Sequence, residues 1–204
     1  MSVSGDTAMA AKRSITSDDI LPLEVYAADR KARRKALVDV KRHRRIEVGP
    51  VCTFYFENYE TMWSQVQEML YIEKGGDEQL KDELEAYNPL IPQGSELVAT
   101  VMFEIDEPVR RATFLSKLGG VEETAFFQFD GETVMSTPEE DVDRTTADGK
   151  ASAVQFMHFH FTADQVAKFR TENQQVILGF KHEAYSHMVV LPEGVRAALA
   201  QDFD

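Results

Sequence analysis

An α+β fold with a mainly antiparallel sheet, helices packed on it and a basic N-terminal helix is predicted for this 204-residue chain by three features. Helical periodicity dominates the first half, strand-forming runs crowd the second, and several of those runs follow one another across turns too short for a parallel crossover. With 43% hydrophobic residues the chain can bury a sizeable core, which suits a single domain over residues 15–204. Its formal net charge of −13 is unevenly spread. Residues 1–45 hold 11 basic and 6 acidic side chains and residues 46–204 hold 11 and 29, so +5 sits beside −18. Such polarity points to a basic segment that lies on its own acidic surface or meets an outside partner of negative charge.

Residues 1–14 are small and polar and read as a disordered leader without the apolar run of a signal peptide. Thr16 and Asp19 have capping-box spacing and Pro22 suits an early turn, so a basic helix is expected over about residues 17–43. Its apolar stripe, Val25, Ala28, Ala32, Ala36 and Val40, is thin. Gly49-Pro50 breaks the pattern, and residues 51–56, apolar or aromatic on both faces, read as an interior strand. Met62, Val66, Met69 and Leu70 recur at helical spacing over residues 59–73. A shorter helix over residues 77–86 turns Leu80, Leu84 and Tyr87 inward and ends at Asn88-Pro89. Strands are expected at residues 97–105, 124–129, 133–135, 153–161, 175–180 and 185–191, with Asp130-Gly131 as a hairpin turn. Helices at 108–118, 162–173 and 192–201 interrupt them. Residues 136–150, acidic and turn-rich, form the one long flexible loop.

Cys52 is the only cysteine, so no disulfide, CxxC pair or thiolate zinc cluster can form within one chain. A reducing, cytoplasmic location is expected, and no window approaches the length of a membrane span. Cys52 itself lies in an apolar strand, as a buried inert thiol does. Phosphate-binding glycine loops, dinucleotide fingerprints and GxSxG are absent. Asp141 and Asp143 open like a calcium loop, but Thr146 stands where a glycine is needed.

His158 and His160, two apart on a strand, project from one face beside Val154 and Phe156. Two imidazoles so placed can ligate Fe or Zn when further ligands arrive, and His182, Glu183 and His187 are the suppliers in view. A small metal-dependent enzyme on the C-terminal sheet is therefore one reading, with Glu183 or Glu68 as base. The plainer one is a pair of solvated or hydrogen-bonded histidines at the end of a sheet face. The spacing from His182 to His187 is one residue too long for HExxH.

The basic helix has three readings. Arg33, Arg34, Lys41, Arg42, Arg44 and Arg45 can contact phosphates or nucleic acid, they can dock an acidic protein or a second copy of the chain, or the helix lies on the acidic body. The net charge disfavours nucleic acid. Gln67, Glu68, Tyr87 and Asn88, polar groups inside apolar blocks, either line a cleft with an arginine of residues 41–45 or pair to pin loops.

Taken together, KRHRRIEVGP (41–50), FENYETMWSQVQEML (56–70), ELEAYNPLIP (83–92), GSELVATVMFEI (94–105), SAVQFMHF (152–159) and HEAY (182–185) resemble the bacterial family catalogued as domain of unknown function 3501. The resemblance covers residues 15–202. It implies an accessory protein supporting an iron or redox system, in peroxide defence or electron transfer, through protein–protein binding. Genes for rubrerythrin-like di-iron proteins and iron-sulfur oxidoreductases accompany such members, which makes those proteins the implied partners. The matching polar residues include Glu57, Gln67, Glu68, Asn88, Glu96 and Tyr185. The family's Pro after the late His is Glu183 here, and the resemblance attaches no role to His158 or His160.

Overall fold

The computed structural model describes residues 12–139 and 150–204. Its centre is one eight-stranded antiparallel sheet curled nearly into a barrel, with six α-helices around it. The strands are β1 (Arg45–Glu47), β2 (Cys52–Phe56), β3 (Glu96–Phe103), β4 (Ala125–Phe129), β5 (Glu132–Pro138), β6 (Val154–His160), β7 (Ile177–Phe180) and β8 (Met188–Val190), and their order is β1-β2-β3-β6-β5-β4-β7-β8. Curling brings strands from opposite ends of that order together. Phe54 on β2 and Phe180 on β7 have ring centroids 5.2 Å apart, and Phe56 on β2 lies 5.8 Å from Phe127 on β4. Alternation explains why: Cys52, Phe54 and Phe56 point inward with Leu97, Ala99, Val101 and Phe103, and Phe127, Phe159, Leu178 and Phe180 complete the interior.

The helices are α1 (Leu23–Arg42), α2 (Tyr59–Glu73), α3 (Gly76–Tyr87), α4 (Pro108–Leu115), α5 (Ala163–Arg170) and α6 (Glu193–Leu199). α2 begins where expected because Asn58 and Thr61 form a reciprocal capping box, with Thr61 N–H donating to Asn58 Oδ1 at 2.9 Å. It ends at Lys74, in the left-handed conformation, next to Gly75-Gly76. Its Met62, Val66 and Leu70 pack with Ile15, Leu90, Ile91 and Val98 into a second core on the outer face of β3. Each such buried aliphatic contributes roughly 1.5–3 kcal/mol. The Asp130-Gly131 turn has φ of 43° and 75°, positive at both central residues as a tight hairpin between β4 and β5 requires.

Several boundaries differ from expectation. The Thr16–Asp19 capping box is present but closes a single 3-10 turn, Ser17–Asp19, and Pro22 is the N-cap of α1. The expected stripe carries α1 only at Val40: Val25, Ala28, Ala32 and Ala36 are exposed, and the docked side is Tyr26, Arg30, Leu37 and Val40. Long side chains reach α2 where alanines fall short. β1, with no alternating apolar pattern in three residues, reads as the end of the basic run, yet it pairs with β2. β5 runs on to Pro138 and so takes in the start of the expected loop; residues 140–149, with Asp141 and Asp143, lie outside the described residues, as do residues 1–11 of the leader. Arg13, assigned to that leader, is anchored, donating to the carbonyls of Pro92 and Asp202 at 2.9 Å. Among the described residues no helix is long and apolar enough to cross a membrane.

Candidate functional site

Two places on the outer face of β2, β3 and β6 gather chemistry. The first is a groove between the C-terminal half of α1, β1 and α2, with a volume of about 1030 Å³. Arg34, Lys41, Arg42 and Arg45 line its α1 and β1 side, and Leu37, Val38, Ile46, Met69 and Ile72 give it an apolar surface. Val38 and Ile72 are 60% and 62% exposed, so nothing among the described residues covers this rim. A smaller cavity of about 460 Å³ adjoins it and shares Lys41, Tyr55 and Gln65. At its base stands Glu57, buried, whose carboxylate accepts from Thr61 Oγ1 at 2.6 Å and Thr100 Oγ1 at 2.8 Å. Tyr87 lines the same cavity.

The nine cations of residues 30–45 divide by partner. Arg30 forms a two-point bond with Glu68, at 2.9 and 2.8 Å, and Tyr26 donates to the same carboxylate at 2.6 Å. The Arg30 bond holds the Glu68 carboxyl below the usual glutamate value against the opposing effect of partial burial, and Tyr26 adds to it. Arg44 is buried and bonded to both oxygens of Asp202. It is therefore a fastener of the fold and not a free contact for a ligand. Arg33, Arg42 and Arg45 pair with their neighbours Asp29, Asp39 and Glu47. Lys31, Arg34, Lys35 and Lys41 have no ion pair among the described residues. Of the nine, Arg30 and Arg44 bond distant carboxylates of the body, and Arg33 lies over the Trp63 ring beside the buried Tyr26.

The second place is the end of the β3–β6 ladder. Register sets Glu96 opposite His160 and Val98 opposite His158, which puts Glu96, His158 and His160 on one face. Glu96 Oε2 lies 3.1 Å from His158 Nδ1 and 3.3 Å from His160 Nδ1, and the two imidazoles are nearly parallel at 14°. His158 Nε2 lies 2.7 Å from Glu139 Oε2. Burial works against the protonated form of His158, but its bonds to Glu96 and Glu139 outweigh that and raise its pKa. Glu96, desolvated in turn, is nonetheless held below the ordinary value by His158.

The remaining sequence candidates are elsewhere. His182 Nε2 bonds the Gly119 carbonyl at 3.2 Å, His187 packs its ring 4.5 Å from that of Tyr185, and Glu183 is exposed in the turn between β7 and β8. None of the three joins His158 and His160. Gln67 and Asn88 do not line a cleft with Glu68 and Tyr87: Gln67 exchanges bonds with the backbone of Leu21, and Asn88 with that of Ile15. They pin the segment that leads into α1, as buried amides must when a chain crosses an apolar surface. Burial pushes the Cys52 thiol well up, consistent with an inert side chain inside the barrel. Reading the residues alone missed Glu96 and Glu139 as partners of the histidines. The alternation of Glu96, Val98 and Thr100 was a usable signal for the first, and nothing local marks the second.

The family described as "Protein of unknown function (DUF3501)" matches residues 14–203. The chain belongs to this family. A crystal structure described as a novel protein of unknown function from Burkholderia pseudomallei K96243 has 33% sequence identity to this family member, and the alignment covers 94% of this chain and 100% of that one with a TM-score of 0.87. No curated protein matches the chain.

Proposed function

We propose that this protein is an accessory protein of an iron or redox system that works by binding an acidic protein partner along α1 and the adjoining groove. The observation that carries this reading is α1 itself. Of its 20 residues only Tyr26 is buried, and isolated helices with so little packing draw scant stability from their own surroundings. Four of its cations have no ion pair among the described residues, and Arg34 and Lys41 stand over an apolar rim. A partner presenting carboxylates around one or two apolar side chains matches that surface in charge and in character. The redox setting comes from the family resemblance, through the rubrerythrin-like and iron-sulfur oxidoreductase genes that accompany such members.

Calorimetric titration of the full chain with a purified rubrerythrin-like protein, and separately with an iron-sulfur oxidoreductase from the same genome, tests this. Saturable binding to either is expected, weakening as ionic strength rises from about 0.01 M to 0.15 M. The double variant Arg34→Glu/Lys41→Glu, at residues with no ion pair among the described residues, should lose it. Absence of binding to both proteins at low salt, or binding indifferent to the charge reversal, overturns the reading.

A further inference from the structure

The end of the β3–β6 ladder carries an inference independent of the groove. We infer that Glu96, His158 and His160 form a binding site for a divalent first-row transition ion, Zn2+ or Fe2+. Their donor atoms all lie within 4.8 Å of one another. A metal about 2.1 Å from each of two donors sets them about 3 Å apart in octahedral geometry and about 3.4 Å apart in tetrahedral geometry. The two carboxylate-to-imidazole separations here, 3.1 and 3.3 Å, fall within that span. Two imidazoles and one carboxylate suit Zn2+ or Fe2+, whereas Mg2+ and Ca2+ take oxygen ligands.

The surroundings are arranged as metal sites require. Glu96 is buried and its other oxygen, Oε1, accepts from the Gln93 N–H at 3.2 Å, which fixes the carboxylate with Oε2 toward the rings. Glu139 on the far nitrogen of His158 is the outer carboxylate that orients a ligating imidazole and raises its basicity. His158 is held by two carboxylates, Glu96 and Glu139, whereas His160 meets Glu96 alone. His160 is 62% exposed at its side chain, yet its Nδ1 lies 3.3 Å from the same oxygen. Three protein ligands, one of them at the surface, leave positions open to water or to an oxygen of a substrate.

The test uses the full chain stripped of metal by chelator and titrated with Co2+, whose visible absorption reports nitrogen and oxygen coordination. One Co2+ per chain is expected, displaced by Zn2+, and elemental analysis of protein purified without chelator shows which ion it carries. His160→Ala, at an exposed position that leaves the fold alone, should weaken binding on the order of 100-fold, and Glu139→Gln by about 10- to 100-fold. Circular dichroism confirms that both variants are folded. No stoichiometric Co2+ at concentrations on the order of 0.1 mM, or affinity unchanged by His160→Ala, overturns the site. Because the groove variants leave these residues alone, either reading can fail without the other.

Discussion

Arg44 and Asp202 show how much a single side chain can hold. Both are buried, joined at 2.8 and 2.6 Å, and they connect the end of α1 to the C-terminal 3-10 turn Ala200–Asp202. Burial pushes the Asp202 carboxyl up even though Arg44 opposes it, so the pair is kept by its geometry and not by solvent. Arg44→Met leaves a buried carboxylate without its partner and should cost about 3–5 kcal/mol in urea denaturation. Replacing both, as Arg44→Met/Asp202→Leu, should recover most of that loss. A double variant no more stable than the single one would show that the cost lies in packing alone. In the sequence Arg44 is one cation among nine, and its partner stands 158 positions away. Gln67 and Asn88 were more legible, because an amide inside an apolar block must find a partner, and backbone groups are the commonest ones.

Among the elements α1 and α2 contrast most. The bounds of α2 follow from local signals: the Asn58 capping box, the spacing of Met62, Val66 and Leu70, and Gly75-Gly76 beyond its end. α1 lies on α2 through contacts that periodicity does not report. Tyr26 packs edge-on against Trp63, Arg33 lies over the Trp63 ring, and Arg30 and Tyr26 converge on Glu68. Since folding lowers the Glu68 pKa, its stabilising contribution is present above the ordinary value of 4.5 and is lost as pH falls through the lower folded value. In acid, below the ordinary glutamate range, α1 should therefore loosen before the barrel does. Trp63 is the sole tryptophan and touches both helices, so its emission reports the step. Glu68→Gln should abolish the acid step and leave the helix looser at neutral pH. An emission change of the same midpoint in that variant would assign the step to another carboxylate.

At the scale of the whole molecule, the curled sheet is tied across its ends by Tyr185. Its hydroxyl donates to the Val48 carbonyl at 2.8 Å and accepts from the Val51 N–H at 3.4 Å, linking the β7–β8 turn to the β1–β2 turn. Gly49, at φ 74°, lies under this contact, where an added Cβ would come within 2.6 Å of the Tyr185 hydroxyl oxygen. Tyr185→Phe should cost about 1–3 kcal/mol, since the buried Val48 carbonyl loses its donor. Amide exchange at Val51 should quicken with it; protection unchanged at Val51 would remove this tie from the closure. The amino-acid sequence alone determines the α+β class, the bounds of α2, the Asp130-Gly131 turn, and the common face of His158 and His160. Each of these rests on spacing between near neighbours, which a period of two or of 3.6 residues controls directly. Tertiary structure alone decides that Glu96 meets both histidines, that His182 and His187 do not, and that Arg44 is buried while Arg34 lines the groove. Those outcomes depend on strand register and sheet curvature, which are set by pairing between segments far apart in the chain, where local periodicity has no purchase.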